Sequence, residues 1–217
     1  RDSKDGKGAG QPVVRTRDRA ERARKRRGRS SSPADAMGIW QAGVDAVDGE
    51  TLVRRAVRVR GRTLHLAESR VDLGAVRRLV VVGAGKAAAA MARGLAAGLG
   101  ERVLEKTGLA GWVNVPAGGD ASPGRIVLHR ARSTHENEPT GEGVRGVRNM
   151  LGLVRELGPQ DLVICLLSGG GSALLPLPVE GVTLREKRRT TRLLHGAGAT
   201  INEMNAVRKH LSRIKGG

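Results

Sequence analysis

Leu79-Val80-Val81-Val82-Gly83-Ala84-Gly85-Lys86-Ala87-Ala88-Ala89-Ala90-Met91 changes character at its middle. The β-branched apolar run favours a buried strand and the alanines favour a helix, so a glycine corner joins the two. N–H groups at a helix start have no intrahelical partner and carry the positive end of the helix dipole. A phosphate or carboxylate binds there with little distortion, and Lys86 adds a full positive charge at the same spot.

Working outward, Met91, Leu95 and Leu99 share one helical face, and the helix ends near Gly98 or Gly100. Leu109–Val115 reads as a second strand, closed by Pro116 and a Gly118-Gly119-Asp120 turn, and Ile126–His129 as a third. After the polar loop 132–141, Val144, Val147, Leu151 and Val154 form a helical stripe that stops at Gly158-Pro159. The run Asp161-Leu162-Val163-Ile164-Cys165-Leu166-Leu167 is apolar except at its first residue, which predicts a fully buried parallel strand with Cys165 as a small core residue. Helices over about 183–196 and 199–213 follow. Upstream, Trp40, Val44 and Val47, then Leu52, Val53, Ala56 and Val57, predict two helices on either side of Asp48-Gly49-Glu50. Thr63–Leu66 is expected to be an extended connection. Strands alternating with helices predict an α/β fold: a doubly wound, mostly parallel sheet with helices on both faces, a Rossmann-like three-layer sandwich. Ligands of such sheets sit beyond the carboxyl ends of the strands, where the glycine corners gather.

A chain of 217 residues suits one large domain or one and a half, and 39% hydrophobic residues are enough to build a real core. No window holds the roughly eighteen consecutive apolar residues of a membrane span, and the charged start has no apolar signal core, so a cytoplasmic protein without a membrane partner is expected. One cysteine excludes internal disulfides and cysteine-based metal sites. Of the net charge of +18, residues 1–32 carry +8, and the rest spreads over 185 positions without a comparable cluster. Arginine outnumbers lysine 31 to 8 and there is no Phe or Tyr, so the stacking platforms of RNA and single-strand readers are missing; nucleic acid is the weaker reading. Residues 1–36, with the basic run Arg22–Arg27 and few apolar positions, read as a disordered tail. A start at Arg1 and a finish at Gly216-Gly217 suggest a truncated piece of a longer protein.

Three constellations carry chemistry. The first corner, Gly83-x-Gly85-x-x-Ala88, fits a loose dinucleotide pattern, but the next strand ends in Asn114-Val115-Pro116 without the carboxylate that would bind ribose; nor does it have P-loop spacing. The second, Ser168-Gly169-Gly170-Gly171-Ser172, leaves backbone donors uncovered at a strand's end, with flanking hydroxyls to help hold a phosphate or small carboxylate. In the third, Ile201, Met204, Val207, Leu211 and Ile214 form an expected buried stripe, and Asn205, Arg208, Lys209 and Ser212 share its flanks, with Lys215 beyond.

Together, Gly83–Met91, Leu166–Leu175 and Asn205-Ala206-Val207-Arg208-Lys209-His210-Leu211-Ser212-Arg213-Ile214-Lys215-Gly216-Gly217 resemble the N-terminal domain of the glycerate 2-kinases, whose members also carry the label hydroxypyruvate reductase. The likeness runs from about Ile39 to the last residue. It implies that residues 37–217 form part of the N-terminal α/β domain, with the smaller C-terminal domain of the MOFRL type absent from this chain. The loop Thr134-His135-Glu136-Asn137-Glu138-Pro139-Thr140 departs from the family's His-Pro-x-Pro-Asp pattern: the histidine has a counterpart, the aspartate does not.

The resemblance implies transfer of the ATP γ-phosphoryl group to the 2-hydroxyl of D-glycerate, with Mg²⁺. Lys86 then supplies catalytic charge. Gly83, Gly85 and the Ser168–Ser172 loop cradle phosphate or carboxylate, and Asn205, Arg208, Lys209 and Lys215 hold anions from the opposite wall. No paired carboxylates announce the metal ligands. Three other readings stay open: a nicotinamide-dependent hydroxypyruvate reductase, a non-catalytic basic anion- or nucleic-acid-binding fragment, and a phosphosugar sensor without turnover. A homodimer is also left open.

Overall fold

The computed structural model describes residues 32–117, 121–135 and 138–216. The basic run 22–27, the turn at 118–120, residues 136 and 137 of the departing loop and Gly217 lie outside the described residues. The chain divides into two units, Arg1–Ala46 and Val47–Gly217.

In the first unit, helix α1 (Pro33–Ala46) begins inside the segment read as a tail. Its start is set by a reciprocal cap: the Ser32 hydroxyl accepts from the Asp35 N–H at 3.1 Å and the Asp35 carboxylate from the Ser32 N–H at 3.0 Å. Apolar spacing alone does not show that cap.

The second unit opens with α2 (Gly49–Ala56), capped by Asp48. Val57 then leaves the helix for a three-stranded antiparallel meander, β1 (Val57–Arg60), β2 (Thr63–Leu66) and β3 (Ser69–Asp72), where a connection was expected. The reason is the period-two alternation Val57-Arg58-Val59-Arg60, which turns both valines inward while the arginines stay exposed.

The main sheet contains β4 (Arg78–Ala84), β5 (Ala110–Pro116), β6 (Ile126–Arg132) and β7 (Asp161–Leu167), parallel and in the order β6-β5-β4-β7. Helices α3 (Ala88–Leu99) and α4 (Glu101–Lys106) follow β4, α5 (Gly141–Arg155) follows β6, and α6 (Gly171–Leu174), α7 (Leu184–Gly196) and α8 (Ile201–His210) follow β7. One face carries Leu79, Val81, Val113, Val115, Ile126 and Leu166 onto Ala88, Ala92, Leu95 and Leu99 of α3. On the other face Ala84 and Ala131 meet Leu174, while Val144 and Val147 of α5 pack with Leu177. This is the expected α/β layering. From β4 the chain winds one way through β5 to β6, then returns to β7 on β4's other side, so the winding reverses between the carboxyl ends of β4 and β7.

Two burial expectations fail. Among the described residues strand β7 pairs with β4 alone; Leu162, Ile164 and Leu166 face the α3 layer, but Val163, Cys165 and Leu167 are exposed. Cys165 is therefore not a core residue. In α8, Ile201 and Val207 are exposed and, of the expected apolar stripe, Met204 within the helix and Leu211 and Ile214 beyond it are half-buried, because the helix packs mainly on α7. Among the described residues, no helix is long and apolar enough to cross a membrane.

Asp161 pins the start of β7 to that of β4. Its fully buried carboxylate accepts from Arg77 at 2.7 Å, Arg78 at 3.2 Å and the Gly158 N–H at 2.9 Å. The Arg77 hydrogen bond, then the Gly158 N–H, hold the carboxyl well below the ordinary carboxylate range. A folded-state pKa depressed below the unfolded value contributes stability at neutral pH that is lost as pH falls. We expect the urea midpoint to drop below about pH 4, and Asp161→Asn to be less stable at neutral pH with a shallower acid limb. Superimposable pH profiles for the two proteins contradict this.

Candidate functional site

Both glycine corners lie at the reversal point, and backbone fit locks them together. A Cβ on Gly83 would stand 2.3 Å from the Leu166 carbonyl oxygen, and one on Gly85 2.0 Å from Ser168 Oγ, so β4 and the β7 corner approach as only glycine permits. The Lys86 N–H donates to the Gly169 carbonyl at 2.9 Å, the Ala87 N–H to Ser168 Oγ at 3.0 Å and the Ser168 N–H to the Ala84 carbonyl at 3.2 Å. The Gly85 N–H donates to the Asn114 carbonyl at 3.3 Å and the Ala88 N–H to the Gly85 carbonyl at 3.4 Å. Every N–H from Gly85 to Ala88 is thus engaged internally. The first corner is a seat for the second rather than an open amide cradle, and Ser168 serves as its brace.

The second corner carries open donors. Among the described residues, the N–H groups of Gly169, Gly170 and Gly171 have no partner. Gly170 adopts the left-handed conformation, φ +80°, and a Cβ there would press on the Lys86 stem at 3.1–3.4 Å. The Lys86 side chain therefore runs along the triple-glycine loop, and its exposed ammonium has no partner among the described residues.

Ser172 closes the loop. Its hydroxyl oxygen accepts from Arg208 at 2.7 Å and from the Lys215 ammonium at 3.1 Å, and Lys215 also donates to the Ser172 carbonyl at 2.7 Å. With both contacts donated to the oxygen, the hydroxyl proton remains for a ligand acceptor. Asn205 steadies Arg208 by accepting at 3.3 Å. Lys215 is placed by a short antiparallel bridge between Pro178 and Ser212, with Val179 N–H donating to the Leu211 carbonyl and Arg213 N–H to that of Leu177. Burial, then the Lys187 and Arg208 charges, bring the Lys215 pKa down to about 8. Lys209 is exposed, its stem beside Gly216, and it makes no contact with Ser172.

The hollow here, about 290 Å³, is lined by Gly170, Ser172, Arg208, Arg188, Arg192 and Glu138, among others. Glu138 accepts from Arg188 and lies 3.5 Å from Arg192, and chiefly the Arg188 hydrogen bond keeps its carboxyl below the ordinary range. Sequence reasoning missed Arg188, Arg192 and the nearly buried Lys187, because the charged stretch Arg185–Arg192 reads as a solvated helix face. It also missed the role of Asn114. Fully buried at the end of β5, Asn114 donates to the Leu174 carbonyl at 2.7 Å and the Gly143 carbonyl at 3.2 Å, tying α6 to α5. His135 is exposed. A larger hollow of about 800 Å³, floored by Val144, Leu151 and Leu177, contains neither the glycine loop nor Ser172. Among the described residues no three His, Cys, Asp or Glu side chains gather to hold a metal ion, and Glu138, the carboxylate lining this hollow, is engaged by Arg188 and Arg192.

The geometry is one of convergent cations and free amides around a single loop. Residues 35–217 match the family model described as "Domain of unknown function (DUF4147)". An Agrobacterium vitis protein named "Putative hydroxypyruvate reductase" is 47% identical over 140 residues, covering 64% of this chain and 34% of that protein. The human protein named "Glycerate kinase" is 35% identical over 195 residues, covering 84% and 36%. A crystal structure of glycerate kinase from Thermotoga maritima superposes with a TM-score of 0.57 at 38% identity, covering 65% of this chain and 33% of that one. The chain spans about a third of the length of these relatives. The match bears out the resemblance carried by the glycine corners: the chain belongs to the DUF4147 family, the N-terminal domain of glycerate kinases.

Proposed function

We propose that the protein serves, as a cytoplasmic glycerate 2-kinase, the ATP-dependent phosphorylation of D-glycerate at its 2-hydroxyl. The observation that carries this reading is that three unengaged amides, Gly169 to Gly171, share one loop with the Lys86 stem along Gly170 and with Arg208 and Lys215 on Ser172. Phosphoryl transfer depends mainly on positioning and on neutralising charge spread over the phosphoryl oxygens, which such a set of donors does. The relatives' names point the same way.

In this reading the loop amides and the Ser172 hydroxyl bind oxygens of a phosphoryl or carboxylate group. Arg208 and Lys215 fix that hydroxyl and add charge, Asn205 orients Arg208, and Lys86 brings its ammonium along Gly170 to the reacting group. A hollow of about 290 Å³ suits a three-carbon acid or a phosphoryl group, not a whole nucleotide. ATP supplies the phosphoryl group when bound; the residues named here account for holding its anionic end.

The reductase name carried by the Agrobacterium relative motivates a second reading. Two observations weigh against it. The Lys86 and Ala87 amides at the first corner, where a dinucleotide pyrophosphate would approach, are engaged by the second corner, and the ribose carboxylate position is held by Asn114, turned inward to Leu174 and Gly143.

Lys86→Ala is expected to lower kcat for glycerate phosphorylation by about 10²- to 10³-fold while leaving the thermal midpoint unchanged. An unchanged kcat removes Lys86 from catalysis. Fluorescence titration is expected to show saturable binding of ATP and none of NADH; the reverse pattern sinks the kinase reading in favour of the reductase.

A further inference from the structure

Lys187 sits in the first turn of α7 and is only 5% exposed. Its ammonium has one weak partner, the Leu177 carbonyl at 3.5 Å. No described carboxylate pairs with it, nor with Arg208 or Lys215, although all three charges lie close enough to repel one another. The nearby carboxylates are committed elsewhere, Glu138 to Arg188 and Arg192, and Glu186 to the Thr183 cap. Arg188 and Arg192 on the same helix add further positive charge. A buried ammonium without a counter-ion is expensive, and a chain that holds one behind two more cations is built for an anion that arrives from outside.

Resting on the site reading above, we propose that Lys187, Arg208 and Lys215 act as one unit. Lys187 is the buried charge behind the Ser172 site, and capture of a doubly charged oxyanion there draws a proton into the unit. Lys187 does not touch the ligand; it acts through Lys215 and Arg208. Burial, then the Arg208 charge, lower its pKa to about 8, and Lys215 stands at about 8 as well, so near that pH the unit is short of its full charge. An arriving dianion favours the protonated forms and raises both values. The ligand class is therefore a phosphate-type dianion rather than a lone monocarboxylate, which has half the charge with which to draw the proton in.

Inorganic sulfate is the probe, because its own charge is constant over the range; calorimetry on the purified protein from about pH 6.5 to about 9.5 reads the coupling. The expected wild-type result is a flat Kd at low pH, then weakening of about tenfold per pH unit above about 8 for each proton taken up. Lys187→Met is expected to weaken sulfate about tenfold at neutral pH and to move the break to higher pH, since Lys215 loses a repelling neighbour. Its melting temperature should hold or rise, because an unpaired buried charge has been replaced by an apolar chain of similar size. Lys106→Met, which removes an exposed lysine on α4, controls for net charge and should leave the profile unchanged. A pH-independent wild-type Kd, no sulfate binding, or a Lys187→Met protein with unaltered sulfate binding and a lowered melting temperature overturns the inference. The last outcome leaves the kinase reading standing, because phosphoryl transfer is scored separately.

Discussion

Two backbone bends pressed against each other between β4 and β7 hold the rest of the site in place. Gly83 and Gly85 admit Leu166 and Ser168 at distances that no side chain survives, and the Lys86 N–H clasps the Gly169 carbonyl. The contact engages the Lys86 and Ala87 amides of one bend and leaves the Gly169, Gly170 and Gly171 amides of the other open. A parallel sheet whose winding reverses at this point opens a crevice there. Here the crevice is occupied by the protein's own triple-glycine loop, which becomes the new floor.

Charge then reaches that floor from different parts of the chain. Lys86 comes from the β4 corner, Arg208 from α8 and Lys215 from the turn beyond it, while Ser172 takes hydrogen bonds from the last two. None of these cations has a described carboxylate partner, whereas the neighbouring Arg188 and Arg192 share Glu138. Arg188 and Arg192, paired with Glu138, line the hollow beside Arg208, whose guanidinium reaches Ser172 without a described carboxylate partner. A site of this design favours multiply charged oxyanions and weakens as its lysines lose protons.

The strand-corner-helix at 79–91, the parallel strands and the triple-glycine loop were legible because short-range patterns specify them. Apolar runs, alanine after glycine, and glycine at a strand's end need no tertiary knowledge. The meander was overlooked because Val57 continues the helical spacing of Val53 and Ala56, and only the following Arg-Val-Arg reveals the change of period. The burial of β7 was overread, since an apolar run does not show whether one face or two will be covered; Val163, Cys165 and Leu167 lie on the uncovered one. Nor does spacing reveal which amides remain free. The first corner looked like the anion site, yet its Lys86 and Ala87 amides are spent on a loop more than eighty residues later in sequence. Lys187 was invisible for a related reason, as a lysine among arginines on a polar helix gives no sign of being buried.

Amide-resolved NMR during titration with inorganic phosphate tests the central claim most directly. The account predicts that the largest shifts fall on the N–H groups of Gly169, Gly170, Gly171 and Ser172, with those of Lys86 and Ala87 changing less because they are already engaged. Shifts concentrated instead on the basic N-terminal segment, or along the hollow at Arg148 and Arg213, with the triple-glycine amides unmoved, would contradict it.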